Sequence, residues 1–157
     1  VADAVFRERA PLGDAALLAL ELTPALERLD LQLPAVPASA PLARAALRRF
    51  VHGLALPAGR AFDVVLAAGE AVANAIEHAY VDTAGPSRFT LRANRRKRRF
   101  QLTVEDYGKW RSGERTLERG RGLELMYALA DDFAIEETAR GTRVRMVFAL
   151  ELSRART

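Results

Sequence analysis

The sequence predicts an α+β fold: a two-layer sandwich in which helices cover one face of a mixed, mostly antiparallel sheet. Three observations predict it. Residues 39–54 and 57–80 carry apolar side chains at helical spacing. Residues 88–93 and 100–105 alternate apolar and polar around the charged turn 94–98, the pattern of an antiparallel hairpin. Strand-like runs at 133–137 and 142–150 close the chain after a shorter helix at about residues 122–130.

The elements follow in order. Residues 12–22 form a compact apolar run entered by Gly13-Asp14, which suits a buried strand better than an amphipathic helix. Residues 23–28 read as a polar connector. Leu29, Leu31 and Leu33 alternate with Asp30 and Gln32, a half-buried strand, and Pro34, Pro37 and Pro41 then break the chain. Ser39 is the expected N-cap of the first helix, with Ala43, Leu47, Phe50, Val51 and Leu54 on one side and Arg44, Arg48 and Arg49 on the other. Pro57 suits the first turn of the second helix. Gly85-Pro86 marks a turn, residues 107–121 read as a mobile loop, and residues 139–141 join the last two strands.

Composition narrows the chemistry. The chain has 157 residues, half of them hydrophobic, and no Cys. That excludes disulfide scaffolds, thiol catalysis and Cys-zinc sites. With only His52 and His78, a His-rich metal site is excluded too. No apolar run is long enough to span a membrane, and no signal peptide is visible, so a cytoplasmic address is expected. The first residue is Val, as in a piece of a longer chain. The net charge of +4 comes from Arg, with only Lys97 and Lys109 as lysines. Arg enrichment of this kind follows genome composition, so neither nucleic acid nor membrane is expected as a direct partner.

The second helix is the informative part. A wheel groups Phe62, Val65, Leu66, Gly69, Ala73, Ile76 and Tyr80 on one face, with Val64, Ala68, Ala71, Val72 and Ala75 extending small apolar surface around it. Asp63, Glu70, Asn74, Glu77 and His78 fall on one polar arc. Glu70 and Asn74 are one turn apart. A carboxylate beside a neutral amide suits a hard cation and a general base, or a solvated polar face. His78 reads as a capping residue near the helix end.

Strand parity marks a second place. Asp106 shares a face with Phe100, Leu102 and Val104, so its carboxylate points to the covered side and needs a donor there. Gly108 permits a turn or a close ligand. Thr142 shares parity with Val144, Met146 and Phe148 and follows Gly141. Arg119-Gly120-Arg121-Gly122 precedes a helix, where free amides can meet a phosphate; solvated loop charge is the other reading.

In order, these pieces resemble the GHKL (Bergerat-fold, histidine-kinase-like) ATPase superfamily. Glu70-Ala-Val-Ala-Asn74-Ala-Ile-Glu-His78-Ala-Tyr80 resembles its N box, Asp106-Tyr-Gly108 its first glycine box, Gly120-Arg-Gly122-Leu123 its second, and Gly141-Thr142 its closing Gly-Thr. The N box and the run 119–126 are most similar to anti-sigma-factor serine/threonine kinases. The resemblance covers about residues 29–150. It implies ATP and Mg²⁺ as cofactors, with Asn74 as metal ligand, Glu70 as general base for a protein hydroxyl, Asp106 on the adenine amino group and Thr142 assisting. It implies a lid at 107–122 whose Arg119, Gly120, Arg121 and Gly122 approach the phosphates. Lys109-Trp110-Arg111 departs from the further glycine or proline that family members often carry there.

Residues 13–22 are similar to the final strand of PP2C-type phosphatases fused to such kinases, with Gly13 where that motif has the first Asp of a metal-binding pair. The expected organisation is a phosphatase-derived remnant and connector at 1–28 and the kinase domain at 29–152. The resemblance implies a protein kinase acting on a STAS-type anti-anti-sigma partner within a stress-response regulator, and leaves a sigma factor and a homodimer open as partners. The alternative is an ATP-binding or sigma-binding module without effective catalysis. A sensor histidine kinase would need a phosphoacceptor His in a dimerisation helix pair, a context neither His52 nor His78 has.

Overall fold

A computed structural model describes residues 28–54, 56–77, 88–108, 121–138 and 141–150. Eight elements occur in it: β1 (Arg28–Pro34), α1 (Ser39–Gly53), α2 (Ala58–Glu77), β2 (Arg88–Arg96), β3 (Arg99–Asp106), α3 (Arg121–Leu129), β4 (Asp132–Thr138) and β5 (Gly141–Ala149). The five strands form one sheet in the order β1-β2-β3-β5-β4. Each of these pairings is antiparallel, so among the described residues the sheet has no parallel component. The strand expected at 12–22 and the turn at Gly85-Pro86 lie outside the described residues.

The sheet has one apolar face because its strands alternate at period 2. Leu29, Leu31 and Leu33 of β1, Phe89, Leu91 and Ala93 of β2, Phe100, Leu102 and Val104 of β3, and Val144, Met146 and Phe148 of β5 are all buried. The helices cover that face in the order α1, α2, α3, with α1 beside β1, α2 over β2 and β3, and α3 beside β4. Phe100 stacks on Phe148 at 5.1 Å between centroids and meets Phe50 of α1 edge-on at 6.2 Å. These contacts place the end of α1 near the start of β3. Burying side chains of this size contributes ~1.5–3 kcal/mol each before conformational entropy is counted.

Three local expectations are corrected. Ser39 is not the cap of α1: Ala38 holds that position with φ −63° and ψ −20° and makes no side-chain cap bond. The turn after Pro34 already gives the Ser39 N–H a partner in the Val36 carbonyl at 2.9 Å, so the helix grows out of the turn and Ser39 is buried in its first position. Pro57 stands just before α2 rather than in its first turn, and its carbonyl accepts from the Ala61 N–H at 2.9 Å. The hairpin is tighter than a loop at 94–98: Arg96 pairs with Arg99 and only Lys97 and Arg98 make the turn, with Lys97 at φ 52°.

The wheel of α2 also turns. Its buried line is Val64, Ala67, Ala68, Ala71, Val72 and Ala75, and Phe62 is 65% exposed. Arg60 starts the helix over the Phe148 ring, while Val65, Gly69 and Val72 share a groove with Leu91 and with Ala43 and Leu47 of α1. Leu91 pairs with Val104, two residues before Asp106. The second half of α2 therefore lies over the half of the sheet where Asp106 ends β3.

Candidate functional site

Asp106 is 5% exposed at the end of β3, on the same side as Phe100, Leu102 and Val104. A carboxylate on that side is costly without donors. Its Oδ1 accepts from the backbone N–H of Gly108 at 3.1 Å and of Thr142 at 3.3 Å. The donor from β5 can reach it because Gly141 lets the two backbones touch. Gly141 has φ +143°, and a Cβ there would fall 2.1 Å from the Asp106 carbonyl oxygen and 2.8 Å from Tyr107 Cα. Only glycine fits that position. Thr142, next in β5, is 3% exposed with its side chain on the inner face. Two motifs far apart in sequence, Asp106-Tyr-Gly108 and Gly141-Thr142, thus form one corner.

The second group lies on α2 and α3. Glu70 and Asn74 are half-buried, one turn apart on α2. The start of α3 rests against this stripe: a Cβ on Gly122 would meet Glu70 Oε2 at 2.9 Å. That close approach brings Gly122 of the second glycine motif to the helix stripe that carries Glu70 and Asn74. Leu123 is half-buried and packs on the core, holding the first turn of α3, while Arg121 is exposed. Arg119, Gly120, His78, Tyr80 and residues 109–120 of the lid expected at 107–122 lie outside the described residues.

The donor set bears on a metal. Among the described residues no three His, Cys, Asp or Glu side chains gather into a cluster that could hold a cation. The side chains on the stripe offer an amide and a carboxylate. Mg²⁺ keeps several waters and takes few protein ligands beside phosphate oxygens, so Asn74 as a single amide donor fits it.

The sequence pattern missed one cluster. On the outer face, Glu105 is 8% exposed and holds Arg143 at 3.1 Å and Arg92 at 3.5 Å. Arg92 also meets Asp30 at 3.3 Å, and Arg143 meets Glu136 at 3.4 Å. The hydrogen bond and charge of Glu105 push the Arg143 pKa above its ordinary value. Equal parity of Glu105 and Arg143 on their strands was the available signal. Using it requires knowing that β3 lies beside β5.

The model of the histidine kinase-like ATPase domain matches residues 33–148, well over half of the chain. The chain belongs to the histidine kinase-like ATPase domain family. An ATPase domain implies ATP binding. No curated protein matches the chain. Among solved structures it is similar to the crystal structure of the RsbU and RsbW domains of Rv1364c from Mycobacterium tuberculosis, with a TM-score of 0.64 and 25% identity. That likeness covers 77% of this chain and 32% of the other. No helix among the described residues is long and apolar enough to cross a membrane.

Proposed function

We propose that this ATPase domain is a serine/threonine protein kinase that phosphorylates a STAS-type anti-anti-sigma partner and so regulates sigma-factor availability. The observation that carries the reading is the meeting of Gly122 with Glu70 on one side and of Gly141-Thr142 with Asp106 on the other. The first pair sets a carboxylate beside a glycine where phosphate can approach. The second sets a buried carboxylate where an adenine amino group can donate. In this reading Asn74 holds Mg²⁺, Asp106 and Thr142 hold the base, and Glu70 takes the proton of the substrate hydroxyl. Bound Mg²⁺ would supply charge neutralisation on the phosphates. Phosphoryl transfer needs little else from the protein than positioning and electrostatics. Arg119, Gly120, Arg121 and Gly122 belong to the same proposal as phosphate-side groups.

Residues 1–28 are proposed as the remnant of a PP2C-like phosphatase domain plus connector, and 29–152 as the kinase domain of a multidomain, cytoplasmic stress-response regulator. The solved relative has two domains in one chain, and its match to this chain is confined to a third of it, which supports such an organisation. A sigma factor and a second copy of the chain are further proposed partners.

Glu70→Gln tests the kinase reading. The change is nearly isosteric, keeps Asn74, and removes the proton acceptor. We expect ATP/Mg²⁺ affinity, measured by calorimetry, to stay within about threefold. We expect phosphotransfer to a cognate STAS serine to fall by ~10²–10⁴-fold, toward the smaller end if proton loss is late. Wild-type protein that binds ATP and transfers phosphate to no cognate STAS partner would make the domain a binding module. Transfer by Glu70→Gln at the wild-type rate would remove Glu70 as base.

A further inference from the structure

We propose that Glu105 and Arg143, paired across the outer face of the sheet, are positioning residues for the nucleotide base: their ion pair sets the strand ends that carry Asp106 and Thr142. The inference rests on the proposed role of Asp106 toward adenine, and adds a specificity device behind it.

The register makes the link direct. Glu105 faces Arg143 in the β3–β5 ladder, and this is the last cross-strand pair before the two strands reach the site. Asp106 follows Glu105, and Thr142 precedes Arg143, so each outer side chain shares a peptide unit with an inner one. Successive side chains on a strand point to opposite faces. Fixing the outer pair therefore fixes the direction of the inner pair. The inner contact it governs is the 3.3 Å bond from the Thr142 N–H to Asp106 Oδ1, made where Gly141 lies against the Asp106 backbone.

The electrostatics concentrate on this pair. Across β1, β2, β3, β5 and β4 stand Asp30, Arg92, Glu105, Arg143 and Glu136, alternating in sign and joined by contacts of 3.3, 3.5, 3.1 and 3.4 Å. Glu105 is central and buried, and each of its carboxylate oxygens has its own guanidinium: Oε1 with Arg143 and Oε2 with Arg92. The outer members are exposed, with side-chain exposures of 42% for Asp30 and 51% for Glu136. Exposed pairs contribute little, whereas removing one partner from a buried charge is costly. The leverage on the site thus sits at Glu105–Arg143, and Glu136 provides a matched control on the same ladder.

The test compares two nucleotides. ATP and purine riboside triphosphate, in which hydrogen replaces the 6-amino group, are titrated with Mg²⁺ into the 157-residue chain and its variants by calorimetry. The ratio of the two affinities reports the contact to Asp106, and a loss of general stability does not move it. We expect wild type to prefer ATP. We expect Glu105→Gln and Arg143→Met to lower that preference by about 3- to 10-fold, Arg143→Lys to keep most of it, and Glu136→Gln to keep all of it. Glu105→Gln is isosteric, so the comparison stands if Arg143→Met does not fold. A wild type that prefers ATP, with Glu105→Gln equally selective and only less heat-stable, overturns the positioning role alone. A wild type that binds both nucleotides equally overturns the adenine role of Asp106, and the inference falls with it.

Discussion

Asp106 and the two close glycines act through different physics, and substitutions separate them. Asp106→Asn keeps the size of the side chain and can present an N–H where an acceptor is needed. An unsatisfied buried donor costs ~1–3 kcal/mol, so ATP affinity should fall roughly 5- to 150-fold by calorimetry. Survival within about twofold would make Asp106 a turn residue only. Gly141→Ala and Gly122→Ala should diverge. At Gly141 the new methyl meets backbone at 2.1 Å in a left-handed conformation, and neither side can yield cheaply. Urea unfolding should show a loss of more than about 2 kcal/mol. At Gly122 the methyl meets only the Oε2 end of Glu70, at 2.9 Å. That carboxylate can swing away. Stability should change by less than about 1 kcal/mol, while the proposed phosphotransfer falls at least tenfold because the proposed base has been displaced. Equal stability losses in the two variants would break the link between Gly122 and the base.

At the scale of the element, α2 shows what the sequence could and could not tell. The wheel grouped Phe62 with Val65, Leu66 and Gly69, yet the buried line runs through Val64, Ala67, Ala68, Ala71, Val72 and Ala75. A helix held between α1 and α3 above the sheet packs along its smallest side chains, which permit the closest approach. The bulk of Phe62 drew the wheel toward the wrong side. The relation of Glu70 to Asn74 was legible regardless, because a one-turn spacing does not depend on which face is buried. Strand parity succeeded for the same reason: its period is 2, and Asp106 could only follow Val104 inward. The Glu105–Arg143 pair was out of reach because its members are 38 residues apart and meet only once β5 inserts between β3 and β4. Gly69 gives α2 its own prediction. It sits mid-helix, and a Cβ there would meet nothing within 4 Å. Gly69→Ala should stabilise the fold by about 0.5–1 kcal/mol in urea unfolding, through a less free unfolded chain. A destabilised variant would mean that the groove at Gly69 is narrower than this arrangement allows.

At the scale of the molecule, the proposed site is made of pieces that sequence keeps apart: Glu70 and Asn74 on α2, Asp106 on β3, Gly122 on α3 and Thr142 on β5. A ligand that touches all four elements is present only when they are assembled, so it should stabilise the fold as a unit. At about 100 times its Kd, such a ligand adds ~2.7 kcal/mol, and a chain of this length then melts about 5–11 °C higher. ATP with Mg²⁺ should therefore shift the thermal transition as a single step, followed by circular dichroism. Asn74→Ala should keep the unliganded melting temperature, because its side chain is half-buried on the polar stripe rather than in the core. It should lose the part of the shift that depends on Mg²⁺ and keep the part that ATP gives in excess chelator, since Asp106 and Thr142 remain. If Asn74→Ala shows the full Mg²⁺-dependent shift, the amide is not the metal ligand. If the wild-type shift is the same with Mg²⁺ and with chelator, the metal takes no protein side chain on α2, and the stripe serves the substrate hydroxyl through Glu70 alone.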